Sequence, residues 1–157
     1  MMTQKEKGER FRSLHATGEV LLLPNPWDGG SARLLAGLGY QALATSSGAA
    51  AAALGRRDGR INRAEALAHC RLIVEATELP VAADLENGYA HAPAEVAETI
   101  RQAAATGLVG GSIEDSTGDP AQPQYDIPTA VARIEAAVAA ARALPFPFTL
   151  TARAENF

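Results

Sequence analysis

Five short apolar runs are spaced along this 157-residue chain, with room for a helix between most of them. They are Val20–Leu23, Gln41–Thr45, Val81–Ala83, Val109–Ile113 and Phe148–Thr151. Runs this short and nearly free of polar residues are what strands look like when helices cover a parallel sheet. The links between them carry helix signals. Thr3 to Ala16 is polar with Phe11 and Leu14 at i, i+3, a helix lying across something larger. Asp28 caps a helix running to about Gly39, and Asn62 caps another to about Glu78 with Glu65 as its capping-box partner. Pro93 opens a helix over Ala94 to Ala105. A Pro-containing loop, Asp119 to Pro128, leads into a helix over Thr129 to Leu144. Ala49 to Ala53 is expected to pack as part of a mobile segment. Strands alternating with helices in this way give an α/β fold with right-handed crossovers. Two architectures fit, a doubly wound open sheet or part of an eight-stranded barrel. The absence of G-x-G-x-x-G after any strand weakens the dinucleotide-binding form of the first.

Polar residues gather where the apolar runs end. The first run ends at Asn25 and Trp27, the second at Thr45-Ser46-Ser47, the third at Asp84 and Glu86. The fourth ends at Glu114 and Asp115, and the fifth at Arg153, Glu155 and Asn156. The carboxyl ends of the strands are where barrels and open α/β sheets build their sites. Asp84 and Glu86 are spaced i, i+2, so an extended chain would present both on one face. Two adjacent carboxylates repel unless a cation lies between them or one stays protonated. The cation best suited to oxygen ligands is a hard divalent ion that keeps several waters. Taken alone, the stretch also reads as a solvated loop with two ordinary acids.

Composition narrows the class. A formal net charge of -4 gives no basic footprint for nucleic acid and no polybasic membrane patch. Cys70, the one cysteine, excludes an internal disulfide and fits a reducing cytoplasm. It falls mid-helix and reads as a packing residue. No apolar stretch approaches the roughly 20 residues that span a bilayer, and Met1 to Arg12 has no signal-peptide pattern. The expectation is a cytoplasmic single domain over residues 1–157.

With these residues assembled, the chain resembles the isocitrate lyase/phosphoenolpyruvate mutase superfamily. The matching segments are Asn25-Pro26-Trp27-Asp28 with Ser31-Ala32, Thr45-Ser46-Ser47-Gly48 and Leu54-Gly55-Arg56-Arg57-Asp58-Gly59. Asp84-Leu85-Glu86-Asn87-Gly88-Tyr89, Gly111-Ser112-Ile113-Glu114-Asp115 and Thr151-Ala152-Arg153-Ala154-Glu155-Asn156 follow in the family's order. The resemblance implies a (β/α)8 TIM-type barrel, with only about the first five βα units in this chain, an N-terminal part. It implies Mg2+, or Mn2+ in its place, held by Asp84, Glu86 and Glu114, although the family's usual strand-end pair is Asp-x-Asp. Asp58 matches a further acid near the metal or reacting group. Thr45, Ser46, Ser47 and Gly48 match the turn that holds a substrate carboxylate. Arg153 matches the arginine on the substrate, with Glu155 beside it, and Trp27 a pocket wall. Glu155 and Asn156, beside Arg153, would orient it or contact the substrate, and Glu155 is counted among the substrate-binding residues.

The implied substrate is a small 2-oxo or 2-hydroxy carboxylate or phosphonate. The implied reaction cleaves or rearranges a C–C or C–P bond through an enolpyruvate-like intermediate, in a homo-oligomer when full length. One departure is specific. The family's lyases carry a catalytic cysteine in a Lys-Lys-Cys-Gly-His-type loop, and Ser116 to Tyr125 here holds neither Cys nor His. Isocitrate or methylisocitrate cleavage is therefore not expected. The alternative readings are a truncated barrel without activity and an open sheet that binds an anion without chemistry. His15 and His69 read as surface or packing residues, Tyr89 as a loop anchor, and Arg56 and Arg57 as a solvated pair.

Overall fold

The computed structural model describes residues 2–155. Its helices begin where side chains can satisfy the free amides of a first turn. Helix α1 (Gln4–Leu14) opens on a reciprocal pair in which the Thr3 hydroxyl accepts the Glu6 N–H and the Glu6 carboxylate accepts the Thr3 N–H. Asp28 caps α2 (Gly29–Gly37), and Asn62 with Glu65 caps α4 (Arg63–Ala76), both as the sequence predicts. Between them a short helix, α3 (Ser47–Ala53), starts from the Ser46 hydroxyl. Ala49 to Ala53, expected to pack as part of a mobile segment, are helical, which suits the residue with the best helix propensity. Pro93 sits in the first turn of α5 (Pro93–Ala104). Helix α6 (Ile127–Arg142) starts before the expected Thr129, because Asp126 caps it and Pro128 needs no amide in the first turn.

The strands form a parallel sheet in the order β1 (Leu43–Ala44), β2 (Val81–Asp84), β3 (Gly110–Glu114) and β6 (Thr149–Arg153). Strand order follows chain order with no reversal among the described residues. A doubly wound sheet would reverse at a switch point, so the progression is that of a barrel wall. Two sequence expectations need correction. Val20–Leu23 forms no ladder strand. It runs beside β1, joined by the Ala44 N–H donating to the Pro24 carbonyl at 3.2 Å and the Asn25 amide donating to the Ala44 carbonyl at 2.9 Å. Pro24 and Pro26 supply no amide donors, and Val20 and Leu22 face outward. The segment expected as a plain loop before α6 folds as an antiparallel hairpin of β4 (Ser116–Asp119) and β5 (Gln122–Gln124).

Alternation along each strand sorts the side chains into two faces. Leu43, Val81, Ala83 and Ile113 enter the main core with Ile73, Val96, Ile100, Leu108 and Phe148. On the other face, Phe11 of α1 packs on Ala42, Ala82 and Val109 and closes the amino-terminal end of the sheet. Helix α1 is tied there by Gln4, whose amide donates to the carbonyls of Ala104 at 2.7 Å and Leu108 at 2.9 Å. Gly110 makes that seat possible, since a Cβ at this position would lie 2.8 Å from the Phe11 ring and 2.8 Å from the Thr149 carbonyl oxygen. Above Phe11 the same face carries Ala44, Asp84, Ser112 and Thr151, and then Glu114 directly opposite Arg153. A plug of apolar packing below therefore leaves a polar mouth above.

Candidate active site

The mouth is a half-open cavity of about 320 Å³ running from Phe11 and His15 up to Asp84, Ser112 and Arg153. Asp84, the last residue of β2, holds together the turn that follows β1. Its Oδ2 accepts from the Ser47 hydroxyl at 2.8 Å and the Ser47 N–H at 3.1 Å, while its own N–H donates to the Thr45 hydroxyl at 3.3 Å. The Ser47 hydroxyl also lies 3.3 Å from Asp58 Oδ1, so two carboxylates share one short polar side chain. Gly48 fits against Asp58, whose carboxyl a Cβ there would approach to 3.4 Å.

After Asp84 the chain does not stay extended. Asp84 Oδ1 accepts the Glu86 N–H at 3.1 Å, and Glu86, Gly88 and Tyr89 take left-handed backbone angles, with φ of 48°, 78° and 53°. Asp84 and Glu86 meet through this turn, not through strand alternation, which corrects the i, i+2 reading. Left-handed φ is costly for residues with a Cβ and persists where surrounding structure fixes it.

Arg153 at the end of β6 gathers the acids. Its guanidinium lies 3.2 Å from Asp84, 2.6 Å from Glu114 and 2.5 Å from Glu155. Glu155 is held in turn by its N–H donating to the Asp115 carboxylate at 2.8 Å. Acids still outnumber the guanidinium, and proton affinities rise accordingly. Burial first, then the charges of Asp84, Asp58 and Glu114, push the Glu86 carboxyl up to about 7. Burial also raises Glu114, with Arg153 opposing it. The Tyr89 phenol is raised by burial and by neighbouring Glu86. Glu86 Oε1 and the Tyr89 hydroxyl are both buried without a hydrogen-bond partner among the described residues.

Thr45, Ser46, Ser47, Gly48, Asp58, Asp84, Glu86, Glu114, Arg153 and Glu155 thus share one end of the sheet. Trp27 is not brought to this cavity. It is largely exposed and lines a separate hollow with Leu54, Ile61, His69 and Leu72, where the His69 ring bonds its carbonyl. Arg56, read as solvated, pairs with Glu65 at 2.6 Å. Cys70 is buried, and its sulfur lies 3.9 Å from the Thr45 hydroxyl. Asn156 lies outside the described residues. Sequence reasoning missed Ser112 and Thr151 on the cavity wall, although alternation back from Glu114 and Arg153 points to them.

The donor set suits a hard divalent cation. It is all oxygen, with a buried carboxylate oxygen awaiting a partner. Among the described residues no three acid, histidine or cysteine side chains close into a cage, since the carboxylates converge on Arg153 instead. The arrangement fits an ion held through one or two carboxylates and retained waters.

Polar residues gathered at the carboxyl ends of parallel strands are where an α/β barrel builds its active site. Residues 11–157 match the phosphoenolpyruvate phosphomutase family, and the chain belongs to it. It superposes with a TM-score of 0.97 and 55% identity on a protein from Burkholderia cenocepacia J2315 provisionally classed as a lyase/mutase, covering 98% of this chain and 56% of that one. Oxaloacetate acetylhydrolase, solved with its product oxalate, is 27% identical with a TM-score of 0.88, covering 99% and 55%. The 2,3-dimethylmalate lyase of Eubacterium barkeri is 32% identical over 108 residues, 68% of this chain and 37% of that protein. The chain therefore spans about half the length of the solved relatives and little more than a third of this curated one. The fold is an α/β barrel of which these residues make part. No helix among the described residues is long and apolar enough to cross a membrane.

Proposed function

We propose that this chain carries the metal and substrate residues of a Mg2+-dependent enzyme that cleaves or rearranges a C–C or C–P bond in a small 2-oxo or 2-hydroxy carboxylate. The observation that carries the proposal is the gathering of Asp84, Glu114 and Glu155 on Arg153 at the strand ends, beside the Ser46–Gly48 turn. An acid cluster half-withdrawn from water calls for more positive charge than one guanidinium supplies. Asp84, Glu86 and Glu114 would hold Mg2+, with Mn2+ as a substitute, and the ion would supply Lewis-acid polarisation of the substrate's 2-oxo oxygen.

The chain's own groups divide the remaining tasks. Thr45, Ser46, Ser47 and Gly48 form the turn that would bind the substrate carboxylate, and Asp84 fixes that turn through the Ser47 hydroxyl and amide. Arg153 presents a planar fork suited to a carboxylate or to negative charge growing on an oxygen, and Glu155 orients it through Nε at 3.1 Å. A donor already in place when charge develops costs no reorganisation. Asp58 Oδ1 accepts from the Ser47 hydroxyl and so keeps that proton turned towards the acids. Phe11 seals the floor against water from the other end of the sheet.

The test is Mg2+ titration by calorimetry on the intact protein, with and without oxalate, alongside Asp84→Ala and Glu86→Ala. Oxalate, the product in the oxaloacetate acetylhydrolase structure, mimics a planar 2-oxo acid anion. The reading predicts that each ligand tightens the other and that both variants lose the coupling. Equal affinity for Mg2+ with and without oxalate in the unsubstituted protein would refute it.

A further inference from the structure

The loop between β2 and α5 carries Glu86 and Tyr89 in strained backbone, yet it has no sheet partner beyond its first residues. Its carbonyls show what holds it. The Glu86 carbonyl accepts the Glu114 N–H at 3.0 Å. The next ones are taken by two side chains from outside the loop. Thr99 of α5, fully buried, donates its hydroxyl to the Gly88 carbonyl at 2.6 Å. Arg133 of α6 donates to the carbonyls of Asn87, Ala90 and His91, at 2.7 Å for Ala90.

Arg133 is 1% exposed. Its described hydrogen bonds run to backbone carbonyls and none to a carboxylate. A guanidinium withdrawn from water this way is costly unless its donors find acceptors, and carbonyls of a single loop take three of its five. The Tyr125 ring lies under the guanidinium, 4.0 Å from its carbon, at the exit of the β4–β5 hairpin. Tyr125 also meets the His91 ring, and its N–H donates to the Asp115 carbonyl at 2.9 Å. One buried cation thus joins α6, the loop bearing Glu86 and the hairpin that follows Glu114.

We propose that Arg133, seconded by Thr99, is a positioning residue for the acid site. It fixes the Glu86–His91 loop in the left-handed path that brings Glu86 to Asp84, and it touches neither substrate nor ion. All three carbonyls that Arg133 takes belong to this one loop. The proposal rests on the divalent-cation reading above, so its test has two arms that fail separately.

The first arm is amide hydrogen exchange on the intact protein without ligand, comparing the unsubstituted chain with Arg133→Met, Thr99→Val and Ala140→Gly. Ala140→Gly is a control that loosens α6 at another buried position. Positioning predicts at least tenfold faster exchange in residues 86–92 for Arg133→Met, with the inner amides of α5 unchanged. Thr99→Val gives a smaller rise at the same loop and Ala140→Gly none. The second arm is Mn2+ binding with oxalate, read by electron paramagnetic resonance. Arg133→Met weakens it by about 10–100-fold, the usual effect of losing a residue that supports metal ligands. Arg133→Lys, one charge without the fork, recovers part of that loss. Should Arg133→Met not fold, Tyr125→Leu removes the ring beneath the guanidinium and is read in both arms. Uniformly faster exchange through α5, α6 and the loop, or unchanged Mn2+ affinity beside normal binding in the parent, overturns the proposal. Failure of the parent to bind Mn2+ with oxalate sinks the cation reading instead, and the exchange arm then decides alone whether Arg133 sets the loop.

Discussion

Replacing Arg153 with methionine tests the electrostatics of the site without any ligand. The substitution keeps an unbranched apolar stem but loses the guanidinium that lies between Asp84, Glu114 and Glu155. Arg153 is 41% exposed, while Asp84 and Glu114 are 16% and 13% exposed. Water therefore screens each pair, and each falls within the roughly 0.2–1 kcal/mol of exposed ion pairs. The three pairs together set the loss at about 1–2 kcal/mol at neutral pH. For a domain of this size that is a fall of roughly 2–8 °C in melting temperature.

The pH dependence carries the sharper test. Burial first of all raises both the Glu86 and the Glu114 carboxyls from their ordinary values. A folded-state carboxyl raised in this way favours the fold below its unfolded value and loses that advantage as pH rises through its folded value, about 7 for Glu86. Removing Arg153 takes away the charge that holds Glu114 down, so the repulsion grows where the acids are ionised. Urea denaturation of parent and Arg153→Met should show a larger difference at pH 8 than at pH 5, and added Mg2+ should narrow it at pH 8. A difference equal at the two pH values, or larger at pH 5, would mean that the guanidinium contributes packing alone and that the acids are not a coupled group.

Two further outcomes follow from the packing. Gly110→Ala places a methyl 2.8 Å from both the Phe11 ring and the Thr149 carbonyl. It should cost about 1–3 kcal/mol in urea denaturation, with Phe11→Leu recovering only part because the backbone clash remains; full recovery would show that Thr149 yields freely. Cys70 is buried, and its thiol is pushed up to about 11, chiefly by burial. Iodoacetamide at pH 8 should label it at the rate of global unfolding, and rapid labelling of the native protein would show that the Thr45–Cys70 contact opens locally.

The fold and the site were legible to different depths. The capping residues Asp28 and Asn62 and the starting Pro93 were visible because helix ends depend on local side-chain chemistry. The acids were visible because strand ends collect polar residues. What escaped was set by tertiary context. Val20–Leu23 has the composition of a strand, but Pro24 and Pro26 break its bonding. The turn at Glu86 is invisible to alternation because Asp84 Oδ1 redirects the backbone. Arg133 carries no sequence signal, being one charged residue on an alanine-rich helix whose partners lie more than 40 positions earlier. Trp27 matched a motif, yet the chain around Ser31 places its ring on another surface.

The parallel register also gives the protein a built-in alignment check. Glu114 faces Arg153 across β3 and β6, with Ser112 facing Thr151 below. If β6 slipped by a single residue during folding, Ala152 or Ala154 would face Glu114 in place of Arg153, and the guanidinium would point away from the acids. The same slip would turn Leu150, which packs against the core, to the other face, so hydrophobic burial already separates the two threadings. The ion pairs add a second discriminator, because only the correct threading leaves the carboxylates with a counter-charge. The polar end of the sheet thus serves assembly as a lock that accepts one key position.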